Sequence, residues 1–155
     1  MYLETSFISA CVTNRTTIRA LYEHEASLQW LADQSHRHEL FCSDATLAEL
    51  SSRKYPLRKQ ALEAAVQFTP LLISPEMEAF AVILANRFVM PQDLKGDALH
   101  VAAATIAEMD CLLTWNVKHL ANAKKERHLR VVCGDYGLIA PRILRPDAFI
   151  QELET

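Results

Sequence analysis

The segment from Gly96 to His119, GDALHVAAATIAEMDCLLTWNVKH, constrains the fold most, because it reads as a helix running into a short apolar strand with polar residues at both outer ends. Gly96 permits a sharp turn through left-handed geometry, and Asp97 sits where a helix begins. Leu99, Ala102, Ala103, Ile106 and Met109 recur at helical spacing, and the small residues Ala102, Ala103 and Ala104 allow close packing on a sheet. After Asp110, the run from Cys111 to Trp115 has the length and apolarity of a buried strand, and Asn116 stands where it ends. Open parallel sheets bind ligands at the carboxyl ends of their strands, where helices start, so Asp97 and Asn116 are expected to reach one crevice.

The rest of the chain repeats this alternation. Met1 to Leu3 reads as a strand with Glu4, Thr5 and Ser6 directly behind it, and Ile8 to Thr13 as a helix or turn. Thr16 or Thr17 caps a long helix through Ala32, whose expected apolar face is Ile18, Leu21, Tyr22, Leu28 and Leu31. Glu39 to Cys42 reads as a second strand, and Ser43 caps a helix over Asp44 to Lys54 that carries Glu49. A helix over Pro56 to Phe68 and a strand over Thr69 to Ile73 follow. Ser74 and Pro75 then open a helix lined by Met77, Phe80, Ala81, Leu84 and Phe88, with a loop over Val89 to Lys95 behind it. Past Asn116 come a turn, a basic-faced helix over Lys124 to Gly134 stopped by Gly134 and Gly137, an edge strand at Ile143 and Leu144, and a terminal helix over Ala148 to Leu153. Strands alternating with helices predict an α/β fold with a mainly parallel sheet, and the lack of repeats or linkers predicts one domain over 1–155.

The formal charge of −3 argues against a general polyanion binder, so nucleic-acid contacts would need a local basic patch or metal ions. Arg53, Lys54, Arg58 and Lys59 form one such group and Lys118, Lys124 and Lys125 another, although each also reads as a solvated helix face. Cys11, Cys42, Cys111 and Cys133 lack Cys-x-x-Cys spacing and read as reduced, structural thiols. No membrane span or signal peptide is evident, and a cytoplasmic location is expected.

Carboxylates converging at strand ends repel one another unless a cation joins them. Hard oxygen ligands select Mg²⁺ or Mn²⁺, which lower the pKa of bound water and polarise a phosphoryl oxygen. Glu4, Glu49 and Asp97, with Asn116 as a neutral fourth oxygen, suit that chemistry, although Glu49 also reads as a solvated helix carboxylate. Thr5 and Ser6 read equally as helix caps or as supports for Glu4. His100 reads as a core histidine bonded to backbone, and His119 as a residue able to approach the site. His36 and His38 lack further zinc ligands at suitable spacing. Trp115 reads as core before it reads as a stacking platform for a base.

LETSFIS near the start, GDALHVAAA in the second half and DCLLTWNVKHLAN behind it together resemble, in order and over nearly the whole chain, the PIN-domain family and its VapC-like toxin branch. That resemblance implies a three-layer α/β/α fold on a parallel sheet of about five strands, with an acidic Mg²⁺ or Mn²⁺ site at Glu4, Glu49, Asp97 and Asn116. It also implies an endoribonuclease of a type II toxin–antitoxin pair, acting on RNA, held by an antitoxin and forming a homodimer. Glu4 stands where the family usually has Asp, and Asn116 where many members have Asp, a pair of departures the toxin branch tolerates. The competing reading is a catalytically silent PIN-like module that binds RNA or protein. A phosphate-accepting signalling domain would need paired acids after the first strand and a lysine after the last, and neither is present.

Overall fold

Five strands of two or three residues each form one parallel sheet: β1 (Tyr2–Leu3), β2 (Phe41–Ser43), β3 (Thr69–Leu71), β4 (Cys111–Leu113) and β5 (Arg142–Leu144). Their order is β3-β2-β1-β4-β5. The computed structural model describes residues 1–52, 54–87, 89 and 95–153. Among the described residues, eight α-helices connect and cover the strands: α1 (Thr5–Val12), α2 (Ile18–Gln34), α3 (Asp44–Leu50), α4 (Arg58–Ala65), α5 (Pro75–Asn86), α6 (Lys95–Ile106), α7 (Ala123–Asp135) and α8 (Pro146–Leu153).

Successive strand residues point to opposite faces, and both faces are apolar, as a sheet covered on both sides requires. Tyr2, Leu112 and Ile143 enter one core with residues of α5, α6 and α7, such as Phe80, Val101 and Leu129. Met1, Leu3, Cys111 and Leu113 enter the other with Phe7, Ile8, Trp30, Leu50 and Ala61 from the helices of the opposite face. The result is the expected three-layer arrangement. Edge strand β3 carries Pro70, which has no N–H to give a ladder.

The caps explain most boundaries. Thr17 accepts from the Ala20 N–H at 3.2 Å and starts α2, while Ser74 and Pro75 start α5 as their order suggests. Helix α7 runs through Gly134 and stops at Gly137, whose φ of 69° lets the Leu138 N–H reach back to the Cys133 carbonyl at 2.9 Å. Of the two glycines expected to stop it, only the second does. Helices α3 and α4 are shorter than expected, ending at Leu50 and spanning only 58–65: Ser51 folds its hydroxyl onto the Leu47 carbonyl at 2.7 Å, and the Tyr55 N–H bonds the Ser52 carbonyl at 3.0 Å in a turn between them. Phe88 and residues 90–94, expected as a helix end and a loop, lie outside the described residues.

The face of α2 is corrected. Ile18, Leu21, Tyr22 and Leu28 are exposed, Ile18 by 90%, and the buried residues are Ser27, Trp30 and Gln34. One indole outweighs the stripe of smaller side chains, because Trp30 packs edge-on against Phe7 and Phe149 at 5.6 and 5.8 Å, and a buried aromatic removes roughly 150–250 Å² from water. Ser27 then accepts the Trp115 indole N–H at 2.8 Å, which settles Trp115 in the core. His38 stacks on the Trp30 ring.

All four cysteines are reduced. Burial pushes the Cys11 thiol up to about 12 and Cys42 to about 11, and Cys111 is also buried. Since the thiolate is the nucleophile, labelling of the folded protein at pH 8 should run at least about 100-fold slower than in denaturant, where four thiols react; rapid labelling of Cys42 in the folded state would contradict its burial.

Candidate functional site

The chain leaves β1 for β2 and β3 on one side and later returns to place β4 and β5 on the other, so the switch in direction falls between β1 and β4. Side chains beyond the carboxyl ends of those two strands border the crevice such a switch opens. Glu4 follows β1, is 4% exposed, and is the N-cap of α1. Its Oε2 accepts from the Ser6 N–H at 3.0 Å, from the Ser6 hydroxyl, and from the Thr114 hydroxyl at 2.8 Å. Those donors offset the cost of burying a charge. The two hydroxyls in turn accept the Trp115 and Asn116 N–H groups, at 2.8 and 3.0 Å, so the ends of β1 and β4 are joined through one carboxylate. With all three bonds on Oε2, the second oxygen keeps its lone pairs for another ligand.

Glu49 stands near the end of α3, its side chain 39% exposed, with Oε1 2.8 Å from His100 Nε2. His100 is fully buried, and its Nδ1 lies 2.5 Å from the Tyr2 hydroxyl, which lies 2.6 Å from Ser43 Oγ. Thr5 Oγ1 is 3.4 Å from Nε2. His100 is therefore bonded to side chains of the site, where a backbone partner was expected. Gly96 is also corrected: it lies inside α6 without a positive φ, and a Cβ there would meet Glu49 Oε1 at 2.7 Å. Its service is close approach of the carboxylate, not a turn.

Asp97 is half-buried in the first turn of α6. Asn116 donates Nδ2 to its two oxygens at 3.3 and 3.4 Å, while Asn116 Oδ1 accepts the His119 N–H at 3.2 Å. Asn116 thus turns its amide nitrogen to Asp97 and its oxygen to the following turn. Burial raises the Asp97 carboxyl, and the Glu4 charge raises it further, against the pull of His100 and His119. For Glu49, burial pushes upward but the hydrogen bond and charge of His100 outweigh it, and the carboxyl sits below its usual range. Burial pulls His100 down, while the bond to Glu49 and the charges of Glu4, Glu49 and Asp97 lift it above the ordinary imidazole value. The groups share one electrostatic environment.

Glu4, Glu49 and His100 each offer a ligand atom, all within 4.8 Å of one another, and together they could hold a metal ion. Two carboxylates and an imidazole make a donor set that fits a divalent cation. Asp97 stands outside that trio, with its carboxylate engaged by Asn116. A groove of about 360 Å³ between α1, α2 and the turn at Tyr55–Leu57 runs to Ser6 and includes Arg15. Lys54 and Lys118 are exposed, Arg53 lies outside the described residues, and Lys125 is tied to the Val89 carbonyl at 2.7 Å. Sequence reasoning missed the parts of His100, Tyr2, Ser43 and Thr114. The hint for His100 was its place three residues after Asp97 on one helix face; the others lie far from their partners in the chain and left no local signal.

No family model matches the sequence, and no curated protein matches it. Among solved structures, the chain is similar to VapBC2 from Rickettsia felis bound to a DNA fragment from their promoter, with a TM-score of 0.51 and 15% identity over 93% of this chain and 96% of that one. At that identity the likeness is one of fold: the chain has the PIN-like, VapC-like α/β/α architecture.

Gly96→Ala should leave stability within about 1 kcal/mol of wild type, since alanine favours helix, yet push Glu49 from His100 and weaken Mn²⁺ binding. Thermal melts with and without Mn²⁺ check both, and unchanged stabilisation by the ion would mean that Glu49 is not held by this contact.

Proposed function

We propose that this chain is a metal-dependent endoribonuclease, the toxin of a type II toxin–antitoxin pair. The observation that carries the reading is the meeting of carboxylates from separate segments, Glu4 behind β1 and Glu49 on α3, at the crevice where Asp97 opens α6, on a PIN-like fold. Glu4 and Glu49 would hold the ion, taken as Mg²⁺ or Mn²⁺, with Asp97 as a further ligand in place of His100, whose Nε2 is engaged by Glu49; Asn116, expected as a fourth oxygen ligand, turns its amide nitrogen to Asp97 and orients it instead. When bound, the ion supplies an activated water and charge neutralisation for in-line hydrolysis of a phosphodiester.

The chain's own groups prepare that chemistry. Ser6 and Thr114 hold the buried Glu4 carboxylate through its Oε2. Thr5 lies by Nε2 of His100, and His119 donates its backbone N–H to Asn116 Oδ1. Lys54 and Lys118, with Arg53, are assigned to the phosphate backbone of RNA, and the groove past Ser6 to its approach.

The cognate antitoxin is assigned to the helices of the α1–α2 side. Support comes from the exposed apolar side chains Ile18, Leu21 and Leu28 on α2, and from the solved neighbour, which is a complex of two proteins with DNA. A homodimer and a cytoplasmic location complete the reading; among the described residues no helix is long and apolar enough to cross a membrane.

Glu4→Gln, Glu49→Gln and Asp97→Asn should each lower Mg²⁺-dependent cleavage of RNA by more than the roughly 10- to 100-fold that loss of a metal's outer partner costs, with the fold retained. Expression of the wild type should arrest growth and Asp97→Asn should relieve it. Full cleavage by Asp97→Asn would remove that residue from the site, and a wild type that binds Mn²⁺ without cleaving RNA would favour the silent binding module.

A further inference from the structure

The buried imidazole of His100 is more than a neighbour of the acids. It stands at the end of a chain of bonds that begins at the start of α3, the helix that carries Glu49. Ser43, the N-cap of α3, accepts the Thr46 N–H at 3.3 Å and lies 2.6 Å from the Tyr2 hydroxyl; Tyr2, on β1, lies 2.5 Å from His100 Nδ1; and His100, on α6, lies 2.8 Å from Glu49 Oε1. The chain thus leaves α3 at its first turn, crosses the sheet and a second helix, and returns to α3 at its last. Gly96, one turn before His100, leaves the space into which that oxygen fits.

One end of the relay has a fixed direction. The ionised Glu49 carboxylate can only accept, so its contact places a proton on His100 Nε2; Nδ1 of a neutral ring then accepts the Tyr2 hydroxyl, which accepts from Ser43, whereas Nδ1–H of a charged ring donates to the Tyr2 oxygen and the Tyr2 proton turns to Ser43 Oγ. A doubly protonated ring also donates from Nε2, so the contact with Glu49 holds in either state. The Tyr2 hydroxyl and the imidazole are both buried, so neither has water to turn to, and ring rotation would break two bonds at once.

We infer that His100 is a positioning residue, which Tyr2 and Ser43 lock in one orientation so that its Nε2–H holds the Glu49 carboxylate toward the metal. The inference rests on the reading of Glu49 as a metal-binding group. Although His100 could itself offer a nitrogen to the ion, Nε2 is already engaged by Glu49 and Nδ1 by Tyr2, so His100 acts through Glu49. Only one Glu49 oxygen is spent on this contact.

The test is Mn²⁺ affinity by calorimetry for the wild type, His100→Ala, His100→Gln and Tyr2→Phe, with circular dichroism to confirm the fold. His100→Ala should weaken Mn²⁺ about 10- to 100-fold, the usual cost of an outer partner, and His100→Gln, whose amide N–H reaches about as far as Nε2, should recover most of it. Pulsed EPR of the Mn²⁺-bound wild type should find no directly coordinated nitrogen. Wild-type affinity in His100→Ala, no recovery in His100→Gln, or a coordinated imidazole nitrogen would each overturn the inference. If His100→Ala does not fold, Tyr2→Phe decides: it should weaken Mn²⁺ several-fold, and unchanged affinity would overturn. If the wild type binds no Mn²⁺, the nuclease reading fails, and NMR of the metal-free protein decides this one separately: an exchange-protected Nε2–H that loses protection in Glu49→Ala supports the contact, and an Nε2 without a proton overturns it.

Discussion

A carboxylate at the centre of the sheet sets the terms for what surrounds it. Glu4 is buried where β1 ends, and an ionised group there persists only if donors replace the water it has lost. The donors come from Ser6, in the first turn of α1, and Thr114, at the end of β4. The same bonds that keep the charge tolerable therefore hold together the two strands between which the topology reverses. Structure and site rest on one set of contacts, so the crevice needs no separate scaffold.

Around that carboxylate the charges are arranged unequally. Glu49 is held below its ordinary range by a histidine it touches, while Asp97, half-buried and near Glu4, is pushed up. Acids that crowd in this way stay ionised more readily when a positive charge joins them, and His100 supplies part of that charge from within the core. The imidazole thus tempers the repulsion of a site whose acids face one another.

Much of this architecture was legible in the residues. Alternating strand-like and helix-like runs announced the parallel sheet, and Ser74 with Pro75 announced α5, because caps and periodicity are local properties of the chain. The position of Glu4 behind β1 followed from the same logic. The buried face of α2 did not, because Ile18, Leu21 and Leu28 satisfy helical spacing as well as the residues actually buried, and only the seat available to the Trp30 ring decides between them. Gly96 misled for a related reason: a glycine relieves either a strained backbone or a crowded neighbour, and the neighbour here, Glu49, lies 47 positions away. The part played by His100 depended on Tyr2 and Ser43, whose link exists only once β1 and β2 are paired.

The borders of the sheet carry a consequence of their own. β3 and β5 are three residues long, and β3 gives up one amide to Pro70, so neither rim displays enough unpaired backbone to recruit a foreign strand. Stacking of this molecule into cross-β fibres through its native edges is thereby discouraged. That leaves recognition to side chains, where complementarity of shape and charge can choose among candidates more sharply than a row of amides can.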